Sequence, residues 1–108
     1  MAEFIEVHIT IEGHEKASRL AHSLLHTGLA ASIDIGEVTR LIRRENGIEE
    51  ASAWQLAVIT TASQLAAIEQ HVGENHRDEE IPILALPTSS GNQAQLDWLR
   101  DQANRDRR

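Results

Sequence analysis

The dipeptide Asn46-Gly47 constrains the fold of this chain more than any other feature. It lies in the middle of an extended stretch over 30–61, and Asn-Gly favours a type I′ turn, because both central residues of that turn need positive φ. The stretch therefore predicts one long antiparallel hairpin, with a kink or bulge near Gly36. On the returning arm, 53–61, both alternating sets of side chains are mostly apolar. Because this is typical of a strand covered on both faces, we expect that strand to be central.

Regular spacing of apolar residues predicts further strands and helices on both sides of the hairpin. Alternation with period two indicates a half-buried strand, and a stripe with period 3.6 indicates a helix packed on one side. Gly28 is well placed to end the first helix, and Thr61 or Ser63 to cap the second. The last strand is bracketed by prolines and is expected at a sheet edge. The predicted strands are 4–11, 30–45, 48–61 and 81–86, and the predicted helices are 14–27, one ending near Asn75, and one from 90–92 onward.

This order, β-α-β-β-α-β with an extra C-terminal helix, predicts an α+β fold of the ferredoxin-like class. In that fold four antiparallel strands form one sheet, and the helices cover one of its faces. The 108 residues suffice for one domain, placed at 1–103, with a charged, frayed tail at 104–108. The other sheet face stays uncovered, with Glu6, His8 and Thr10 of the first strand on it, and we expect self-association through that face.

The composition excludes several classes of function. The chain has no cysteine, which rules out disulfides, cysteine-ligated zinc, iron–sulfur clusters and thiol catalysis. A formal net charge of −7 repels phosphate, so we expect no nucleic-acid partner. No apolar run reaches about 18 residues and the N-terminus has no leader pattern, so we expect no membrane and a cytoplasmic protein. No hydrolase, metalloprotease or phosphate-loop motif is present, so we predict no catalytic residue and no enzyme.

Four segments in order resemble one known family. They are 28–35 (Gly-Leu-Ala-Ala-Ser-Ile-Asp-Ile), the hairpin 38–61, the run 76–87 ending in Ala-Leu-Pro, and Gly91-Asn92 with the Leu-Asp-Trp-Leu of 96–99. Together they resemble the CutA family of divalent-cation tolerance proteins along nearly the whole chain. The resemblance implies a ferredoxin-like subunit in a tight homotrimer, with sheets facing inward and hairpins pairing across subunits. It also implies a role in tolerance or binding of divalent metals such as copper.

The chain departs from the family pattern where the family usually has its chemistry. Ser32 stands where members commonly have a cysteine, and Ile42-Arg43-Arg44 replaces a Tyr-x-Trp motif. His76, Glu79 and Trp98 are retained. The resemblance therefore implies a divergent member without a thiolate ligand.

One imidazole and three carboxylates within five residues form the first candidate site. His76, Asp78, Glu79 and Glu80 offer nitrogen and oxygen ligands of the kind that bind a borderline divalent ion such as copper or zinc. His76 and Glu79 are the predicted metal ligands. The alternative is a solvated acidic loop whose charges deter pairing at an edge strand.

Two other histidine positions offer further candidates. His22 and His26 are four residues apart on one helix face, where they could chelate a metal ion or belong to the polar surface. His8 would face the trimer interior with Glu6, either as a packed, hydrogen-bonded interface residue or as one of three ligands around the axis.

Arginines beside the hairpin turn favour a second functional hypothesis. Arg40, Arg43 and Arg44 oppose three glutamates across the turn, which favours cross-strand ion pairs. The alternative is that Arg43 and Arg44 bind a small anionic ligand at a cleft between subunits. The chain would then be a trimeric signalling or scaffold protein similar to the nitrogen-regulatory P-II proteins.

Overall fold

The chain folds in the order predicted from the sequence. The computed structural model describes residues 4–77, 79–88 and 93–106, and the side chains of the last helix over 94–102. Helix α3 continues past the predicted domain end at residue 103, and that boundary stays a prediction. The elements are β1 Phe4–Ile11, α1 His14–His26, β2 Ser32–Arg44, β3 Gly47–Thr61, a 3₁₀ turn Ala62–Gln64, α2 Leu65–Asn75, β4 Ile83–Pro87 and α3 Gln93–Asp106.

The four strands form one antiparallel sheet in the order β2-β3-β1-β4. Strand β3 is central and β4 is at an edge, as predicted, and the α+β architecture is confirmed. The ladder between β2 and β3 is unbroken from Ser32 to Arg44. Gly36 lies in register opposite Gln55, so no bulge interrupts the strand at the glycine where the sequence suggested one.

Gly28 terminates helix α1, as the sequence predicts, two residues after the last helical residue, His26. The φ of Gly28 is 77°, a left-handed conformation that glycine adopts without steric cost. The N–H groups of Gly28 and Leu29 donate to the carbonyls of Leu25 and Leu24 at 3.2 and 3.0 Å. These bonds satisfy the last carbonyls of the helix and turn the chain toward β2.

The hydrophobic core lies between one face of the sheet and helices α1 and α2. Alternate residues of the central strands, such as Ile9 and Leu56, point to this face because successive side chains of a strand alternate. They pack against Leu24 of α1 and Ile68 of α2, which are fully buried. In the described part of the chain, no helix is long and apolar enough to span a bilayer.

Neither α1 nor α2 packs on the opposite face of the sheet, the open face. Helix α3 reaches this face at the start of β1, where the guanidinium of Arg100 lies 5.8 Å from the centre of the Phe4 ring. Glu6, His8 and Thr10 of β1 lie on this open face, as predicted. On the neighbouring edge strand β4, Leu84 and Leu86 remain 63% and 38% exposed. Apolar side chains beside a polar strip are typical of an interaction surface, and the role of these residues in a trimer interface stays a prediction.

Strands β2 and β3 project beyond the rest of the sheet. Strand β1 pairs only with Trp54–Thr61 of β3, whereas β2 pairs with β3 as far as Gly47. Residues 38–53 therefore form a two-stranded arm. Leu41 and Ile48 on this arm are 69% and 76% exposed.

Candidate functional site

The connection between α2 and β4 brings the two predicted metal ligands to one place. At the end of α2, the amide of Asn75 donates to the carbonyl of His71 at 2.8 Å, and the N–H of His76 donates to the carbonyl of Val72 at 3.0 Å. The chain then turns, and the N–H of Glu79 donates to the carbonyl of His76 at 3.2 Å. This turn places the side chains of His76 and Glu79 side by side.

The pair consists of one shielded imidazole and one carboxylate. His76 Nδ1 lies 3.4 Å from Glu79 Oε2, and the two side chains are 13% and 36% exposed. The other oxygen of Glu79, Oε1, accepts a hydrogen bond from Lys16 Nζ of α1 at 2.6 Å. This bond is the main cause that lowers the pKa of Glu79 below its ordinary value of 4.5, and the positive charge of Lys16 and the imidazole of His76 add to it. The carboxylate is therefore ionised at neutral pH.

This arrangement can supply part of a ligand set for a divalent ion. An imidazole nitrogen and a carboxylate oxygen both bind copper and zinc in proteins. Glu80 is exposed and lines a neighbouring groove, and Asp78 lies outside the described residues. Among the described side chains, no three or more histidines and carboxylates are grouped closely enough to hold a metal ion. His76 and Glu79 can therefore supply two ligands, and water molecules can complete the coordination of the ion.

Two cavities meet at this point. A groove of about 750 Å³ lies between the arm, the end of β1 and the α2–β4 connection. A pocket of about 410 Å³ lies between α1 and α2, where Ser23 Oγ and His71 Nε2 are 2.7 Å apart. Lys16 and Glu79 line both cavities, so their ion pair lies at the boundary between them.

The structure does not bring Arg43 and Arg44 together within the subunit. As neighbours in β2 they point to opposite faces of the arm. Arg44 lines the 750 Å³ groove with Arg40, and Arg43 does not. Arg44 Nε lies 3.3 Å from Glu49 Oε1, which confirms one of the expected cross-strand ion pairs.

The remaining histidine candidates lie elsewhere. His22 and His26 are exposed on α1, and His22 Nδ1 lies 2.8 Å from the backbone oxygen of Ser18. His8 Nε2 lies 2.5 Å from Glu6 Oε2 on the open face of the sheet. Each of these groups is separate from the His76–Glu79 pair.

Sequence reasoning missed Lys16. It is 63 positions from Glu79 in the chain and belongs to no local motif. The sequence could have suggested this contact in one way. In a ferredoxin-like topology, the first turn of α1 lies near the end of β1 and the start of β4.

Comparison with known proteins decides the family. The family model for the CutA1 divalent ion tolerance protein matches residues 5–102. This chain belongs to the CutA1 family. The divalent-cation tolerance protein CutA of Thermus thermophilus is 32% identical over 94 residues, which cover 86% of this chain and 91% of that protein. The solved structure of the periplasmic divalent cation tolerance protein CutA from Archaeoglobus fulgidus has a TM-score of 0.81 at 30% identity, and covers 95% of this chain and 99% of that one.

One plant relative is longer than this chain. Protein CutA 1 of Oryza sativa, named as chloroplastic, is 33% identical over 98 residues, which cover 90% of this chain and 55% of that protein. The chain thus spans about half the length of the plant relatives that it matches.

The relatives correct the expected location and distinguish between the two functional hypotheses. The cytoplasmic location expected from the N-terminus is wrong as an inference, because relatives are named as chloroplastic and periplasmic. The CutA relatives support the divalent-cation hypothesis and give no support to the P-II-like alternative. They are named for tolerance of divalent cations and not for a reaction.

Proposed function

We propose that this chain is a non-enzymatic CutA protein that binds a divalent metal ion, copper or zinc, through His76 and Glu79. The observation that carries the proposal is the His76–Glu79 pair, with 3.4 Å between Nδ1 and Oε2. Glu79, whose pKa lies below its ordinary value of 4.5, is ionised at neutral pH, as a metal-binding carboxylate must be. Membership of the CutA1 family supports the choice of a divalent cation as the ligand.

Binding alone would be enough for a role in tolerance. A protein that holds a metal ion lowers the concentration of the free ion, and no bond in a substrate has to be broken. Imidazole nitrogen and carboxylate oxygen suit borderline ions such as copper and zinc, whereas thiolates, which this chain lacks, would favour copper(I). We therefore propose copper(II) or zinc(II) as the ion.

We also propose that the chain acts as a homotrimer, with itself as its main partner and with neither nucleic acid nor membrane. The open face of the sheet supports this, because Leu84 and Leu86 are exposed beside Glu6, His8 and Thr10. The resemblance to the CutA family supports the number of subunits.

Equilibrium dialysis tests the metal proposal. Tag-free protein is dialysed against copper(II), zinc(II) or nickel(II) at pH 7, and the bound metal is measured per subunit. We expect about one copper or zinc ion per subunit. The substitutions His76→Ala and Glu79→Gln should each weaken this binding at least about tenfold.

His22→Ala is the matched control, because it removes an exposed imidazole on α1 that is not part of the pair. It should leave the affinity of the main site unchanged. Loss of binding in the His22 variant together with full binding in the His76 and Glu79 variants would place any metal on α1 and contradict the proposal.

A further inference from the structure

Lys16 donates a hydrogen bond to the carboxylate of Glu79, which is one of the two proposed metal ligands. Its ammonium lies 2.6 Å from Glu79 Oε1, while the other carboxylate oxygen faces His76 at 3.4 Å. The carboxylate of Glu79 is therefore shared between the ammonium of Lys16 and the imidazole of His76, which is the other proposed metal ligand.

A divalent ion at this position would meet the ammonium at close range. Two positive charges on one carboxylate repel each other, so each weakens the binding of the other. The lysine stem is flexible and the side chain is 49% exposed, so the ammonium can move into water at low cost.

The position of the Lys16–Glu79 ion pair means that its separation would change the two cavities. Lys16 and Glu79 line both the 410 Å³ pocket and the 750 Å³ groove. Separation of the two side chains would join the pocket to the groove along the α2–β4 connection.

We propose that Lys16 is a built-in competitor for the metal ion, and that metal binding at His76 and Glu79 displaces the Lys16 ammonium from Glu79. The proposal rests on the proposed function of the pair. The lysine sets the metal concentration at which the site fills, because each ion must first replace a cation that is already bound.

Three substitutions on one helix test this competition. Lys16→Met removes the ammonium and keeps most of the stem, and it should tighten zinc(II) and copper(II) binding about two- to fivefold, as expected from the strength of exposed ion pairs. Lys16→Arg keeps the charge and should bind as the unmodified protein does. Arg19→Met removes the same charge from the same pocket, but Arg19 pairs with Glu15 at 3.5 Å, so the affinity should stay within about twofold.

The measurement is the dialysis described above at one fixed pH, with circular dichroism as a check that each variant is folded. Zinc titration followed by NMR gives a second readout, because the ε-CH₂ resonance of Lys16 should shift as the ammonium leaves Glu79. In Glu79→Gln this shift should be absent.

The outcomes separate the two proposals. Equal affinity in Lys16→Met and the unmodified protein, with binding lost in Glu79→Gln, overturns the competition and leaves the metal site standing. Equal tightening in Lys16→Met and Arg19→Met also overturns it, because net charge would then be the cause. Unchanged binding in Glu79→Gln overturns the metal site and the competition together.

Discussion

At the scale of single residues, local spacing indicated the two candidate metal ligands, and the tertiary structure added the lysine that binds one of them. His76 and Glu79 are three positions apart, so one turn of chain is enough to place them together. Lys16 reaches Glu79 only because α1 and the α2–β4 connection lie side by side in the fold. The lowered pKa of Glu79 depends first on the hydrogen bond from that lysine, and no pattern around residue 79 shows this bond.

The Lys16–Glu79 pair predicts a pH dependence of stability. The folded pKa of Glu79 lies below its unfolded value of 4.5, so the pair stabilises the fold above about that pH. This contribution should disappear as the pH falls through the folded pKa. Urea unfolding of the unmodified protein and of Glu79→Gln over about pH 3 to 7 should therefore show a stability difference at neutral pH that vanishes in acid.

Glu15→Gln is the control for this experiment, because it also removes one negative charge from an exposed side chain. A difference between the unmodified protein and Glu79→Gln that stays constant down to the lowest pH would contradict the prediction.

At the scale of elements, the hairpin was the most predictable part of the chain. Glu45 and Asn46 separate two strands that pair without interruption from Arg44–Gly47 to Ser32–Ile59. The predicted type I′ turn is wrong, because neither Glu45 nor Asn46 has a positive φ; Gly47, the first residue of β3, takes the positive φ instead. The start of α2 was predicted less well. Thr61 or Ser63 was expected as a helix cap, but their hydroxyls lie 3.0 Å from each other, and a 3₁₀ turn precedes the helix, whose N-cap is Gln64 without a side-chain cap bond. Two hydroxyls in reach of each other compete with the helix N–H groups.

The turn itself predicts a large effect of one glycine. Gly47 has a φ of 130°, which a residue with a Cβ adopts only under strain, so Gly47→Ala should lower the free energy of unfolding by about 1 to 3 kcal/mol. Gly36→Ala is the matched control in the same hairpin, because its added Cβ meets no atom within 4 Å and no positive φ is involved.

Urea unfolding at a single protein concentration measures both variants. The control should be unchanged or slightly more stable, since alanine has less freedom than glycine in the unfolded chain. Equal stability of the two variants would show that the turn does not need glycine.

At the scale of the whole molecule, the two faces of the sheet have different roles. One face forms the core with α1 and α2, and its residues are fully buried. The other face carries Leu84 and Leu86 next to the paired side chains of Glu6 and His8. A sheet with an uncovered apolar edge is stabilised by association.

The open face predicts a trimer that one substitution can weaken. Light scattering of the unmodified protein at micromolar concentration should give three times the subunit mass of 12.0 kDa. Leu86→Glu places a carboxylate directly opposite Glu6, where like charges repel and a buried charge is costly. We expect it to shift the protein toward monomer.

Leu25→Glu is the matched control, because Leu25 is similarly exposed, at 42%, but lies on α1 away from the open face. It should remain trimeric. A monomer in the unmodified protein, or dissociation by Leu25→Glu alone, would contradict assembly through the open face.

The sequence by itself determined the order of elements, the central position of β3 and the edge position of β4. These features follow from periodicity and turn chemistry, which act between residues close in the chain. The tertiary structure alone decided that Arg43 and Arg44 point to opposite faces within the subunit, that Arg40 and Arg44 share a groove, and that Lys16 binds Glu79. Such contacts depend on how separate elements pack in three dimensions, and a pattern along the chain carries no record of which distant side chains will meet.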